Sequence, residues 1–143
     1  ADNAYFLENV EINSYRLKLN TQSHTAFRGF GGPQGVIVIE TIMGDIARHL
    51  QLDPLAVRKL NYYGITERNT THYQMKIEDN ILLPLTLQLE QSSQYQERRL
   101  AIQQFNDHSP FIKKGLAITP VKFGISFTAT LQNVMPFNDK LSE

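Results

Sequence analysis

The chain is predicted to fold as an α+β domain, a few helices packed with antiparallel strands. Three observations point there. Residues 10–19 and 115–131 alternate apolar and polar side chains at period two, the strand period. The sequence between them carries helix-period apolar spacing, opened by proline or by a capping side chain. No strand–helix–strand unit repeats, which argues against a doubly wound parallel sheet.

In residues 10–19, Val10 and Ile12 share one face, while Tyr15, Leu17 and Leu19 fall on the other parity. The phase slip at Asn13-Ser14 fits a bulge. Residues 26–35, Ala-Phe-Arg-Gly-Phe-Gly-Gly-Pro-Gln-Gly, form a glycine-rich loop in which the backbone is free to take positive φ. Gly32 is placed at an N-cap and Pro33 at the first helical position. Val36, Ile39, Met43, Ile46 and Leu50 then mark a helix face. Asp53-Pro54 opens a second helix over residues 53–63, with Leu55, Val57 and Leu60 as its apolar side and Gly64 as its stop.

Residues 65–83 read as a loop with a short extended piece at 75–77. Pro84 starts a third helix to about residue 106, with Leu85, Leu89, Tyr95, Ile102 and Phe105 as buried candidates. Asp107-His108-Ser109-Pro110 breaks it. In the final strand Val121, Phe123, Ile125 and Phe127 share one face, and Gly124, Ser126, Thr128 and Thr130 the other.

Composition narrows the function classes. The chain has 143 residues, enough for one domain with a modest core, and 14 basic residues balance 14 acidic ones. That balance favours neither nucleic acid nor an anionic membrane as partner. No apolar run approaches the ~20 residues that span a bilayer. Cysteine is absent, which removes disulfides, thiolate metal sites and thiol nucleophiles. A soluble, cytoplasmic chain is expected. It starts without Met, in the middle of a pattern, and reads as a piece of something longer.

The glycine loop is the segment that reads as chemistry. A glycine-rich turn before a helix N-terminus brings backbone N–H groups and the positive dipole end toward a ligand. Phe30, between two glycines, offers a platform for a flat ring. No Lys-Ser or Lys-Thr pair closes the loop as in nucleotide hydrolases, and Gln34 stands where a dinucleotide fingerprint needs its third glycine. Elsewhere, His24, His49, His72 and His108 lack metal-ligand spacing. His24 is the one near the loop. Glu40 is the nearest acid, but a lone carboxylate makes no acid/base pair, so no catalytic residue and no metal ligand is assigned.

The segment AFRGFGGPQG resembles the molybdopterin-binding subunit of the xanthine dehydrogenase and xanthine oxidase family. Residues 122–128, KFGISFT, resemble a second stretch of that family at the right distance. The runs LDPLAVRKLNYY and LEQSSQYQERRLAIQQFN between them fit in order and spacing. The resemblance covers roughly residues 1–130. The tail 131–143 departs from it, since Leu131-Gln132-Asn133-Val134-Met135-Pro136 lacks the expected glycine turn.

By this resemblance residues 1–143 are a single fragment of a larger molybdenum-binding domain. It implies an oxidoreductase of purine metabolism, in which molybdenum held by the dithiolene of molybdopterin hydroxylates hypoxanthine and xanthine to urate with a glutamate as general base. Arg28, Gly29, Phe30 and Gly31 match the loop that touches the cofactor. Phe30 and Phe127 match the aromatics that hold the purine ring, and Thr128 a hydroxyl that hydrogen-bonds it. The catalytic glutamate, a second substrate-facing glutamate and a substrate-binding arginine map outside residues 1–143. The resemblance therefore implies an inactive fragment with no bound cofactor, and FAD and 2Fe-2S centres on other domains or subunits. Phe30 together with Phe127-Thr128 favours a purine enzyme over an aldehyde oxidase-type relative. The remaining alternative is a non-catalytic interaction domain, since unpaired strand edges invite a homo-oligomer.

Overall fold

The computed structural model of the chain describes residues 3–25 and 27–123. Four helices are found among the described residues: α1 (Gly32–Leu50), α2 (Pro54–Asn61), α3 (Leu82–Ser92) and α4 (Tyr95–His108). The expected antiparallel strands are absent among the described residues. The described residues hold only two isolated bridges, Tyr5 with Tyr62 and Thr70 with Lys76. Alternation alone does not make a strand, because its N–H and C=O groups need a neighbouring ladder. Residues 10–19 run with Ile12, Tyr15, Leu17 and Leu19 exposed, and no described segment lies alongside to pair with them. Residues 115–123 are also without a ladder, and they alternate in the opposite phase to that expected. Pro120 is buried and Leu116 and Ile118 are half-buried, while Val121 and Phe123 are exposed. The rest of that predicted strand lies outside the described residues.

α1 begins one residue earlier than expected. Gly31, at φ 85°, is its N-cap, and Pro33 stands in the first turn. Its inward face is Met43 and Ala47, with Ile39 packed beside them, whereas the predicted Ile46 and Leu50 face out. Ala47 carries only a methyl group at that face, so α2 can lie close against it. α2 starts as its sequence dictates. Asp53 Oδ1 accepts hydrogen bonds from Leu55 N at 2.8 Å and Ala56 N at 3.1 Å. The other oxygen, Oδ2, is 3.3 Å from Arg99 Nε and 3.5 Å from Tyr95 Oη, so one carboxylate caps α2 and ties it to α4. Leu55 and Val57 are buried, but Leu60 is exposed and Arg58 points inward instead.

The single third helix is two. Gln94 takes φ 50° between Ser93 and Tyr95, which ends α3 and lets α4 fold back on it. Of the expected buried positions, Tyr95 is fully so, Ile102 is half-buried, and Leu85, Leu89 and Phe105 are exposed. α3 is set against α2 by Lys59 Nζ, 2.8 Å from Glu90 Oε2.

The core lies where α1, α2 and the N-terminal segment meet: Tyr5, Met43, Ala47, Val57 and Tyr62, with Ile39 and Leu82 at its rim. Tyr5 and Tyr62 stack with ring centroids 5.9 Å apart. Backbone bonds from Phe6 N to Asn61 O, 2.9 Å, and Tyr63 N to Ala4 O, 3.4 Å, hold the segment along the end of α2. Beneath lies a polar knot. Tyr5 Oη donates to one oxygen of Glu40, and Arg58 Nε donates to the other at 2.6 Å. Burial disfavours the charge on Arg58, yet the hydrogen bond and charge of Glu40 outweigh it and raise its pKa.

Burial, first of all, raises the phenol pKa of Tyr5, Tyr62 and Tyr95, with Glu40 adding to the shift at Tyr5 and the Asp53 charge to that at Tyr95. The sign follows. Above about pH 10 the unfolded chain releases these protons while the fold retains them, so stability falls with rising pH. Urea midpoints should be unaffected by these groups below pH 10. Above it they should fall, each tyrosine costing up to ~1.4 kcal/mol per pH unit. A flat midpoint between pH 9 and 11 would contradict the burial.

Gly64 has a local task. Its N–H donates to Arg68 O at 3.1 Å, and a Cβ on it would sit 2.1 Å from Glu67 O. Gly64→Ala should therefore cost about 1–3 kcal/mol through overpacking against backbone. Gly44→Ala, inside α1 with nothing within 4 Å of the new methyl, should stabilise by up to ~1 kcal/mol. Denaturant titration of both variants gives the comparison, and equal midpoints would overturn it.

Candidate functional site

The glycine loop folds as consecutive tight turns. Phe30 N donates to Phe27 O at 2.9 Å, Gly32 N to Gly29 O at 2.8 Å and Gly35 N to Gly31 O at 3.1 Å. Gly29, Phe30 and Gly31 all take positive φ, at 89°, 48° and 85°. Gly29 needs its missing side chain, since a Cβ there would lie 2.6 Å from Pro33 Cδ; the proline ring thereby fastens the loop to α1. At Gly31 a Cβ would meet nothing within 4 Å, so the backbone there is open to approach.

Phe30 is the unusual member. A left-handed backbone costs a non-glycine residue about 1–2 kcal/mol. Its ring is nonetheless 73% exposed, so little burial offsets that cost. Phe30 thus combines a left-handed backbone with an exposed aromatic side chain. Beside it is a shallow depression of about 550 Å³ lined by His24, Thr25, Phe27, Phe30, Gly31 and Gln34. Two aromatic rings, an imidazole, a hydroxyl and an amide thus surround one open hollow, a set suited to a planar, hydrogen-bonding heterocycle. Arg28 stands exposed on the same turn.

The first 62 residues match the family model of the molybdopterin cofactor-binding domain. Over 92% of its length the chain is 43% identical to a xanthine dehydrogenase/oxidase of Gallus gallus. It is 42% identical to a xanthine dehydrogenase of Emericella nidulans over the same share. The chain belongs to the xanthine dehydrogenase family. It is also similar to a nicotinate hydroxylase of Emericella nidulans, 35% identical over 91% of this chain. Each alignment takes in about a tenth of the relative, so the chain spans a small part of the proteins it matches.

The chemistry of the loop suits the cofactor of this xanthine dehydrogenase family. A pterin has flat faces and a rim of donors and acceptors. Phe27 and Phe30 answer the first, His24, Thr25 and Gln34 the second, and Gly31 leaves room for close approach. Among the described residues no group of three His, Asp or Glu side chains could hold a metal ion directly. No helix of the described residues is long and apolar enough to cross a membrane.

The site residues expected from sequence divide as follows. Arg28, Gly29, Phe30 and Gly31 occur together on one turn. Phe127 and Thr128 lie outside the described residues. The structure does, however, bring the segment that leads to them up to the loop: a Cβ on Gly32 would be 2.9 Å from Phe123 Cε2. Glu40, the acid nearest the loop in sequence, turns away from it into the knot with Tyr5 and Arg58. Sequence reasoning missed Thr25, Phe27 and Gln34 as walls of the hollow. Their signal was present, since each lies within four residues of a glycine that takes positive φ.

Proposed function

We propose that the chain is the part of a cytoplasmic molybdenum hydroxylase that contacts molybdopterin and one side of a purine substrate, hypoxanthine or xanthine. Arg28, Gly29, Phe30 and Gly31 hold the cofactor, and Phe30, Phe127 and Thr128 hold the purine ring. When bound, the cofactor supplies the redox centre at which the purine is hydroxylated; iron–sulfur and FAD groups elsewhere in the enzyme carry the electrons onward. This chain's own contribution is position. The strained turn at Gly29-Phe30-Gly31 keeps an aromatic ring at the edge of the hollow, and that observation carries the proposal. The relatives support the ligand class, since those named for xanthine and for nicotinate share a planar nitrogen heterocycle as substrate. The exposed apolar side chains of α1, among them Ile37, Val38 and Ile42, suit docking against the rest of such an enzyme.

The substrate side is tested at Phe127. In the holoenzyme that carries this segment, Phe127→Ala should raise KM for xanthine about tenfold or more, the aromatic contact being worth ~0.5–1.5 kcal/mol beyond the burial it provides. Unchanged KM toward xanthine and hypoxanthine in the variant would remove Phe127 from the purine site, whereas a parent enzyme that turns over an aldehyde and neither purine would move the assignment to an aldehyde oxidase-type enzyme.

A further inference from the structure

Glu40 is the acid nearest the glycine loop in sequence, yet the proposed purine site makes no use of it. It is held instead from two sides. Tyr5 Oη, on the N-terminal segment, donates to one carboxylate oxygen, and Arg58 Nε, on α2, donates to the other at 2.6 Å. Both donors are themselves fixed. Tyr5 is fully buried, its ring stacks on Tyr62, and its N–H donates to Asn3 Oδ1 at 2.8 Å. Arg58 is buried on the inner side of α2. Apolar side chains of equal volume often join helices as well as a buried charge pair does, or better. Apolar burial, however, has no direction, whereas hydrogen bonds to a carboxylate do. Two such bonds, from two different elements, fix the rotation of α1 about its own axis.

Glu40 is also where buried groups first grip α1. No residue of the helix before Met43 is buried, and Ile39, beside Glu40, only reaches the rim of the core. None of the residues from Gly32 to Val38 belongs to the core, and Ile37 and Val38 are exposed. The glycine loop is carried at the end of that stretch, roughly 12 Å along the axis from Glu40 at ~1.5 Å per residue. The Pro33 ring fills the space left by the missing Cβ of Gly29, so loop and helix move together. We propose that Glu40 is a positioning residue: held by Tyr5 and Arg58, it fixes the rotation of α1 and with it the placement of the Gly29-Phe30-Gly31 turn and the Phe30 ring. That this placement serves ligand binding rests on the reading of the loop as one wall of the purine site.

Two measurements test this. Tyr5→Phe cuts one hold on Glu40 and Glu40→Gln weakens the other, and each leaves enough of the knot to keep the fold. In the 143-residue chain without cofactor or purine, each should speed hydrogen exchange at the amides of Phe30, Gly32 and Gly35 about threefold or more. These amides donate to the carbonyls of Phe27, Gly29 and Gly31, within the loop and the first turn. A knot that merely stabilised the core would shift the amides that open with the whole fold and leave these three unchanged. Unchanged loop exchange in either variant overturns the coupling, whatever the kinetics. In the holoenzyme that carries this segment, Tyr5→Phe should raise KM for xanthine about threefold with kcat within about twofold. Combined with Phe30→Ala it should add no further rise, because the knot acts through the ring, whereas independent effects would multiply. A KM unchanged by Tyr5→Phe, or raised by the same factor with and without the Phe30 ring, overturns the positioning role. If Phe30→Ala alone leaves KM unchanged, the reading of the loop as a purine wall fails, and loop exchange still decides whether the knot holds the loop.

Discussion

Glu40→Ala should lower the stability of the chain by about 3–5 kcal/mol, the cost of leaving a buried charge without its partner. Glu40 is the hinge of the polar knot: Tyr5 Oη and Arg58 Nε each donate to one of its oxygens. The Arg58 and Glu40 side chains are 6% and 11% exposed, so water cannot replace the lost acceptor cheaply. Among the described residues Arg58 Nη1 is already buried without a hydrogen-bond partner, and truncating Glu40 would orphan Nε as well. The knot also joins three parts of the chain, since Tyr5 lies in the N-terminal segment, Glu40 on α1 and Arg58 on α2. Its loss should therefore loosen the core as a unit. Glu40→Gln keeps an acceptor for Tyr5 and should cost less, and Tyr5→Phe, which removes one hydrogen bond, about 1 kcal/mol. Urea unfolding followed by far-UV circular dichroism ranks the three. A Glu40→Ala midpoint equal to that of Tyr5→Phe would show that the knot does not hold the fold.

The same residues show what the sequence could and could not reveal. The start of α2 was legible because capping is local: Asp53 accepts from amides two and three residues along, and Pro54 needs no partner. The end of the glycine loop was legible for the same reason, to within one residue of the N-cap. The strands were not, because period two describes a face and says nothing of whether a neighbour exists to pair with it. The face of α1 was misread where isoleucine and leucine outweighed alanine. Ala47 is buried because it is small, while Ile46 and Leu50 face out. Arg58 was not singled out from the sequence, because its partner lies 18 positions away on another helix. The break between α3 and α4 hinges on one residue, Gln94, in a conformation that glutamine rarely adopts.

At the site, glycine density announced the loop, and Phe30 stood out as an aromatic with no local reason to be there. The structure sharpened that reading by adding strain and exposure at Phe30 and the company of His24, Phe27 and Gln34 around the hollow. The meeting of Phe123 with Gly32 was hidden, since no local rule links residues so far apart.

Phe30 gives the most direct test, because its structural and functional readings predict opposite results. A ring 73% exposed contributes little to folding, so Phe30→Ala should shift stability by no more than about 0.5 kcal/mol. If the ring is the platform for the purine, the same truncation removes an aromatic face and the apolar area it covers. That loss should raise KM for xanthine roughly ten- to a hundredfold, or ~1.4–2.7 kcal/mol. The decisive measurement is KM for xanthine of Phe30→Ala in the holoenzyme that carries this segment, taken beside its urea midpoint. A KM raised at least tenfold with an unchanged midpoint is the predicted result. An unchanged KM, or a midpoint that falls by several kcal/mol, would contradict the assignment of the glycine loop as a wall of the purine site.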